Sequence, residues 1–103
     1  MFSKHIELQT RWGDGNRHPS IVDLKNAVNE LKQKDDEHPC AFISDEFGDV
    51  VEAYQDGRVV YYSLDTPDKR HETKVDEIEK VLDIWLLFCE GKQNELDQLF
   101  KRN

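Results

Sequence analysis

The sequence predicts an α+β domain with a four-stranded, mainly antiparallel sheet and helices packed on it, in the order β-α-β-β-β-α-α. Three observations carry this prediction. Residues 41–64 are rich in Val, Ile, Phe and Tyr and are interrupted by two turn signals. Apolar residues recur at helical spacing before this stretch, over residues 21–31, and after it, over residues 75–89. Apolar and polar residues alternate near the N-terminus, which predicts a first strand over about residues 2–11.

The central stretch is predicted to be a three-stranded meander, with strands over about residues 40–44, 49–55 and 58–64. Its second turn is Asp56-Gly57, a pair that suits a two-residue type I′ turn because both positions need a positive φ. A two-residue loop pairs Gln55 with Arg58 and sets the register of the hairpin.

That register also assigns side chains to the two faces of the sheet, because successive residues of a strand point to opposite sides. The predicted core face carries Val51, Ala53, Val60 and Tyr62. The predicted outer face carries Glu52, Tyr54, Val59 and Tyr61. A carboxylate between two tyrosines indicates either a binding surface or a second packing surface that a helix or the chain end covers.

The remaining elements are placed by caps and periodicity. Ser20 is the expected N-cap of a helix over about residues 20–34, with Asp23 as its capping-box partner and Ile21 at the start of its buried stripe. The charged residues 66–72 are predicted to form a loop. A long helix over about residues 74–90 should turn Leu82 and Trp85 to the core, and a short helix over about residues 93–102 ends the chain.

Length and composition limit the classes of function. The 103 residues suit one domain, and the net charge of −8 disfavours nucleic acid and anionic membranes as partners, since both attract cationic surfaces. No apolar run approaches the roughly 20 residues of a membrane span, and no leader pattern is seen, so a cytoplasmic protein is expected. Cys40 and Cys89 lie far apart and are expected to be buried free thiols.

The chain contains no recognisable catalytic or cofactor motif, which predicts a protein that is not an enzyme and needs no cofactor. His38 and Cys40 could supply two metal ligands, but a structural zinc site needs four and a catalytic site about three. We therefore expect no metal.

The first turn of the meander is the strongest candidate for a binding surface. Phe47 lies at its tip, and acidic residues surround it in the sequence. Such a turn either presents an interface anchor inside a charged rim, or folds its aromatic ring back over the edge of the core. The predicted partner-binding residues are Asp45, Glu46, Phe47, Asp49, Glu52, Tyr54 and Tyr61.

Several features follow one another along the chain in a recognisable order: Trp12, a Gly-rich loop, Pro19-Ser20 opening a helix with Leu24 and Leu31, an acidic turn, the Asp56-Gly57 hairpin and a long helix ending at Gly91. This succession resembles the small immunity proteins of bacterial polymorphic-toxin and contact-dependent growth-inhibition systems. The resemblance implies a cytoplasmic α+β protein that binds a cognate toxin, often a basic nuclease, and blocks its active site. The alternative is a small acidic adaptor or regulatory domain without a toxin partner, and the neighbouring gene would distinguish the two.

Overall fold

The computed structural model describes Phe2 and residues 4–100. Within these residues the chain forms a sheet of six strands and three helices, which confirms the α+β class. The strands are β1 (Ile6–Gln9), β2 (Gly15–Asn16), β3 (Cys40–Asp45), β4 (Asp49–Tyr54), β5 (Arg58–Ser63) and β6 (Thr66–Lys74). The helices are α1 (Ile21–Glu30), α2 (Lys80–Cys89) and α3 (Gln93–Leu99).

The strand order across the sheet is β2-β1-β3-β4-β5-β6, and every neighbouring pair is antiparallel. The meander and the inclusion of β1 in the same sheet agree with the prediction. The predicted total of four strands is wrong, because β2 and β6 add one strand at each edge. The element order among the described residues is therefore β-β-α-β-β-β-β-α-α.

Strand β6 replaces the predicted charged loop. Its nine residues form an edge strand, and most of them are exposed. An edge strand with few buried side chains shows no apolar alternation, and charged residues with a proline are common at sheet edges because they deter further pairing.

Element boundaries also differ from the prediction. The extended chain of β6 runs on to Val75, whose amide donates to the carbonyl of Gly57 at 2.9 Å, so α2 begins at Lys80 and not near residue 74. Helix α1 and strand β1 are both shorter than predicted. Residue 3 of the predicted first strand and residues 101–102 of the predicted last helix lie outside the described residues.

The predicted register between β4 and β5 is wrong by one residue. Val51 pairs with Tyr61 and Ala53 with Val59, where the prediction paired Val51 with Tyr62. The loop has three residues: the amide of Gly57 donates to the carbonyl of Tyr54 at 3.0 Å, and Gly57 has a φ of 93°. This is the turn in which a glycine with positive φ follows a type I turn. A one-residue shift exchanges the faces of a whole strand.

The corrected register turns Tyr61 and Val59 to the core and Tyr62 and Val60 to the outer face. Tyr61 is 1% exposed and packs edge-on against Phe88 and Phe100. The three helices contribute to this core, which includes Trp85 at 0% exposure, as predicted, and Leu82 as a partly buried residue against it.

Helix α1 has well-defined ends. The Ser20 hydroxyl accepts from the amide of Asp23, and the Asp23 carboxylate accepts from the amide of Ser20, so the predicted capping box is confirmed. The stripe prediction fails at one position, because Ile21 is 53% exposed.

The C-terminal end of α1 is held by a buried arginine. Arg11 is 4% exposed and donates to the carbonyl oxygens of Glu30, Gln33 and His38, the last two at 2.7 and 2.8 Å. It also donates to Oε1 of Gln55 at 2.9 Å, which ties the helix end to the β4–β5 loop. No pattern in the sequence indicates this role.

Candidate functional site

The β3–β4 turn is built on a buried carboxylate. Asp45 Oδ1 accepts hydrogen bonds from the amides of Phe47 and Asp49, both at 3.0 Å, which is how an aspartate stabilises a tight turn. Asp45 Oδ2 pairs with Lys4 Nζ at 3.1 Å, and the Asp45 side chain is 0% exposed. Asp45 was predicted to contact a partner; it lies instead beneath the turn and holds it in shape.

The ring of Phe47 points away from the molecule. It is 72% exposed, so it does not fold back over the core edge. The neighbouring β5–β6 turn presents a second apolar side chain, Leu64, which is 62% exposed. The amide of Leu64 donates to the carbonyl of Gly48 at 2.9 Å, which joins the two turns.

These two turns form one surface, here called the acidic tip: Glu46, Phe47, Asp49, Leu64 and Asp65. Glu46 and Asp65 are exposed beside the two apolar side chains, and Asp49 is partly exposed. Three of these five residues, Glu46, Phe47 and Asp49, were predicted as a cluster. Leu64 was not, because the predicted third strand of the meander included it; its position before Asp65 and Thr66, in a polar segment, was the available signal.

Glu52 and Tyr54 lie on the outer face of the sheet, as predicted, but their polar atoms bond to each other. Glu52 accepts from the Tyr54 hydroxyl at 3.1 Å and from the Tyr62 hydroxyl at 2.9 Å, and Arg70 Nη1 lies 3.5 Å from Glu52 Oε1. The guanidinium of Arg58 sits 4.4 Å from the Tyr54 ring centroid.

This network changes the acidity of its phenols. Partial burial, followed by the charge and hydrogen bond of Glu52, raises the pKa of Tyr54 to about 12. Burial and the same carboxylate also raise the pKa of Tyr62. The polar side chains of the outer face therefore bond to one another. Tyr62 lies beside Glu52 on this face, where the prediction placed Tyr61.

The cysteines offer no activated nucleophile. Both are free thiols, Cys40 partly exposed and Cys89 buried. Burial raises the pKa of the Cys40 thiol, with a further contribution from Glu52, and burial raises that of Cys89 to about 12. A thiol with a raised pKa is a poor nucleophile at neutral pH.

Metal sites and membrane-spanning helices are both absent from the described residues. Phe2 and residues 4–100 contain no group of three or more His, Cys, Asp or Glu side chains placed to hold a metal ion. No helix in this part of the chain has the length and apolar character needed to cross a membrane.

Comparisons with protein-family models, with curated proteins and with solved structures gave no match to this chain. Among the surfaces described above, the acidic tip is the one where two exposed apolar side chains stand beside exposed carboxylates.

Proposed function

We propose that this protein binds a cognate bacterial toxin and neutralises it by covering the toxin's active site. The observation that carries the proposal is the acidic tip, in which Phe47 and Leu64 stand exposed on two joined turns among carboxylates. Apolar side chains on an exposed turn leave water only when a partner covers them, and this burial lowers the free energy of the complex.

The tip is preorganised for such a contact. Asp45 fixes the β3–β4 turn through two backbone amides and Lys4, and the Leu64–Gly48 hydrogen bond fixes the second turn against the first. A rigid turn loses little conformational entropy on binding. Complete burial of an aromatic side chain can contribute about 1.5–3 kcal/mol, which is typical of an interface anchor.

Charge favours a basic partner. The chain carries a net charge of −8, and Glu46 and Asp65 are exposed at the tip. Acidic groups around an apolar centre speed association with a cationic surface and disfavour other partners. A nuclease that binds nucleic acid needs such a cationic surface, and the resemblance of the sequence to immunity proteins supports the same partner class.

The test is survival of cells that express this protein together with the toxin domain that, on this proposal, the gene directly upstream encodes. Phe47→Ala combined with Leu64→Ala should abolish protection while leaving the protein folded, because both side chains are mostly exposed. The matched control is Ile21→Ala with Val22→Ala, a pair of apolar residues at 53% and 63% exposure in the first turn of α1.

Full protection by the Phe47/Leu64 variant would refute the tip as the interface, and loss of protection in the Ile21/Val22 control would move the interface to the start of α1. If no upstream toxin gene exists and no toxic domain is inhibited, the toxin assignment is wrong and an adaptor that uses the same surface becomes the better explanation.

A further inference from the structure

A second surface lies beside the start of α1, where a groove of about 820 Å³ separates this helix from the chain leading into β1. Its apolar lining is Phe2, Ile6, Pro19, Ile21 and Val22. Ile21 and Val22, in the first turn of α1, are 53% and 63% exposed. Polar residues are usual at solvent-facing positions of a helix. The volume is within the range of small-molecule sites, and the groove is open to solvent on one side.

The polar lining of the groove is cationic or imidazole: Lys4, His5, Arg17 and His18, with the hydroxyl of Ser20. This is the reverse of the acidic character of the whole chain. The side chain of Arg17 is 85% exposed, and its contact with Glu7 is long, at 3.9 Å. The rings of His5 and His18 meet edge to face at 5.4 Å between centroids.

Two other cationic features near the groove are already satisfied. Lys4 Nζ pairs with Asp45 and lies 4.1 Å from the centroid of the Phe88 ring, so it is directed inward. The first amides of α1 are partly occupied by the capping box of Ser20 and Asp23. An anion entering the groove would therefore meet Arg17 and the two imidazoles.

We infer that this groove binds a small amphiphilic carboxylate, with its apolar tail against Ile21 and Val22 and its head group at Arg17. The apolar lining requires an apolar body, and the guanidinium can hold a carboxylate through two parallel hydrogen bonds. The net charge of −8 disfavours the approach of anions to the chain as a whole, and the groove offers an anion a local charge of opposite sign at Arg17. This inference does not depend on the proposed toxin.

The probe is octanoate, titrated into the full chain below its micelle concentration and followed by amide NMR shifts. We expect saturable one-to-one binding, with the largest shifts over residues 17–22. Octanol, which has the same tail without the charge, should bind about tenfold more weakly, the difference that one charge-assisted contact provides.

Variants separate the tail site from the head site. Val22→Asp should abolish octanoate binding, because it puts a like charge on the apolar wall, and circular dichroism should show an unchanged fold at this exposed position. Arg17→Gln should weaken octanoate about tenfold and leave octanol unchanged. Lys69→Gln, an exposed cation on β6 outside the groove, is the matched control and should bind octanoate normally.

Several outcomes would overturn the inference: equal affinity for octanoate and octanol, shifts centred elsewhere, unchanged binding by Val22→Asp, or binding to vesicles with anionic lipids in the absence of any octanoate binding. Because protection against a toxin is scored separately with the tip variants, failure of this experiment leaves the proposed function standing.

Discussion

Arg11 is a buried cation that stabilises α1 from outside the helix. The last turn of α1 contains no basic residue, and its terminal carbonyls need donors. Arg11 supplies these donors together with a positive charge at the negative end of the helix dipole. The same guanidinium reaches Gln55, so the helix end and the β4–β5 loop are stabilised together.

We expect Arg11→Ala to lower the free energy of unfolding by about 2–4 kcal/mol, because buried carbonyls lose charged donors and few replacements can reach them. Urea unfolding followed by tryptophan fluorescence would measure the loss. Arg17→Ala removes the same side chain from an exposed position and should change stability by less than about 0.5 kcal/mol. Equal stability of the two variants would show that Arg11 is not a structural hub.

Burial and, after it, Glu52 raise the pKa values of the tyrosines on the outer sheet face. The folded state raises the pKa of Tyr54 from 10.0 to about 12, because partial burial and the nearby carboxylate disfavour the phenolate. The stabilisation of the neutral phenol is therefore complete below pH 10 and is lost as the pH rises through about 12. Asp45, unlike Glu52, is buried beneath a turn. One of its oxygens accepts from two backbone amides, and the other pairs with Lys4.

Alkaline titration at 295 nm should show this shift as the difference between the parent and Tyr54→Phe. We expect Glu52→Gln to lower the pKa of Tyr54 only part of the way to 10.0, because burial is the largest cause and remains. The unfolding free energy of the parent should fall between pH 10 and 12 more than that of Tyr54→Phe. An ordinary tyrosine pKa in the difference titration would contradict the network.

At the scale of elements, the helices and strands with a clear apolar periodicity or a capping residue were predictable, and those without one were not. Ser20, the α2 stripe around Trp85 and the three meander strands follow directly from capping and periodicity. Strand β6 was missed because it buries few side chains and exists through pairing with β5. A strand of that kind has no alternation of apolar and polar residues from which it could be predicted.

The hairpin register shows a different limit. Asp56-Gly57 fits a two-residue turn and also the end of a three-residue turn, because both place a glycine at positive φ. The choice between them depends on packing, which places Tyr61 at 1% exposure among aromatic rings. Tyr61 was predicted on the outer face because of the wrong register. Phe47 was predicted at the tip of its turn, and it lies there with 72% exposure, because a turn of this kind is set by neighbouring residues.

Gly57 is where this hairpin tolerates least change. A Cβ atom built there would lie 2.6 Å from the carbonyl oxygen of Val75, and φ is already 93°. We expect Gly57→Ala to destabilise the protein by more than about 2 kcal/mol, from backbone strain and this clash together. Gly13 has a similar φ of 88°, but no atom lies within 4 Å of a Cβ built there. Gly13→Ala should therefore lower the free energy of unfolding only by the backbone strain, about 1 kcal/mol. Equal losses in urea unfolding would show that the contact with Val75 is unimportant.

At the scale of the whole molecule, charge is distributed unevenly. The acidic tip stands at the turns that join β3 to β4 and β5 to β6, whereas the groove at α1 gathers Arg17 and two imidazoles. The Lys4–Asp45 ion pair lies between these regions, since Lys4 lines the groove and Asp45 supports the tip. The two proposals, a basic protein at the tip and a small anion at the groove, therefore concern different surfaces of one small domain.

The net charge of −8 should make association with a basic toxin domain fast and sensitive to salt. Stopped-flow mixing at about 50 and 500 mM NaCl should show an association rate that falls by tenfold or more, because exposed charges are screened within about 10 Å or less at and above 0.1 M salt. The dissociation rate should change little, since it depends on the contacts of Phe47 and Leu64. Glu46→Lys with Asp65→Lys should slow association without raising dissociation comparably, whereas Phe47→Ala should do the reverse. Salt-independent association together with a full effect of Phe47→Ala would mean that the tip binds through its apolar centre alone.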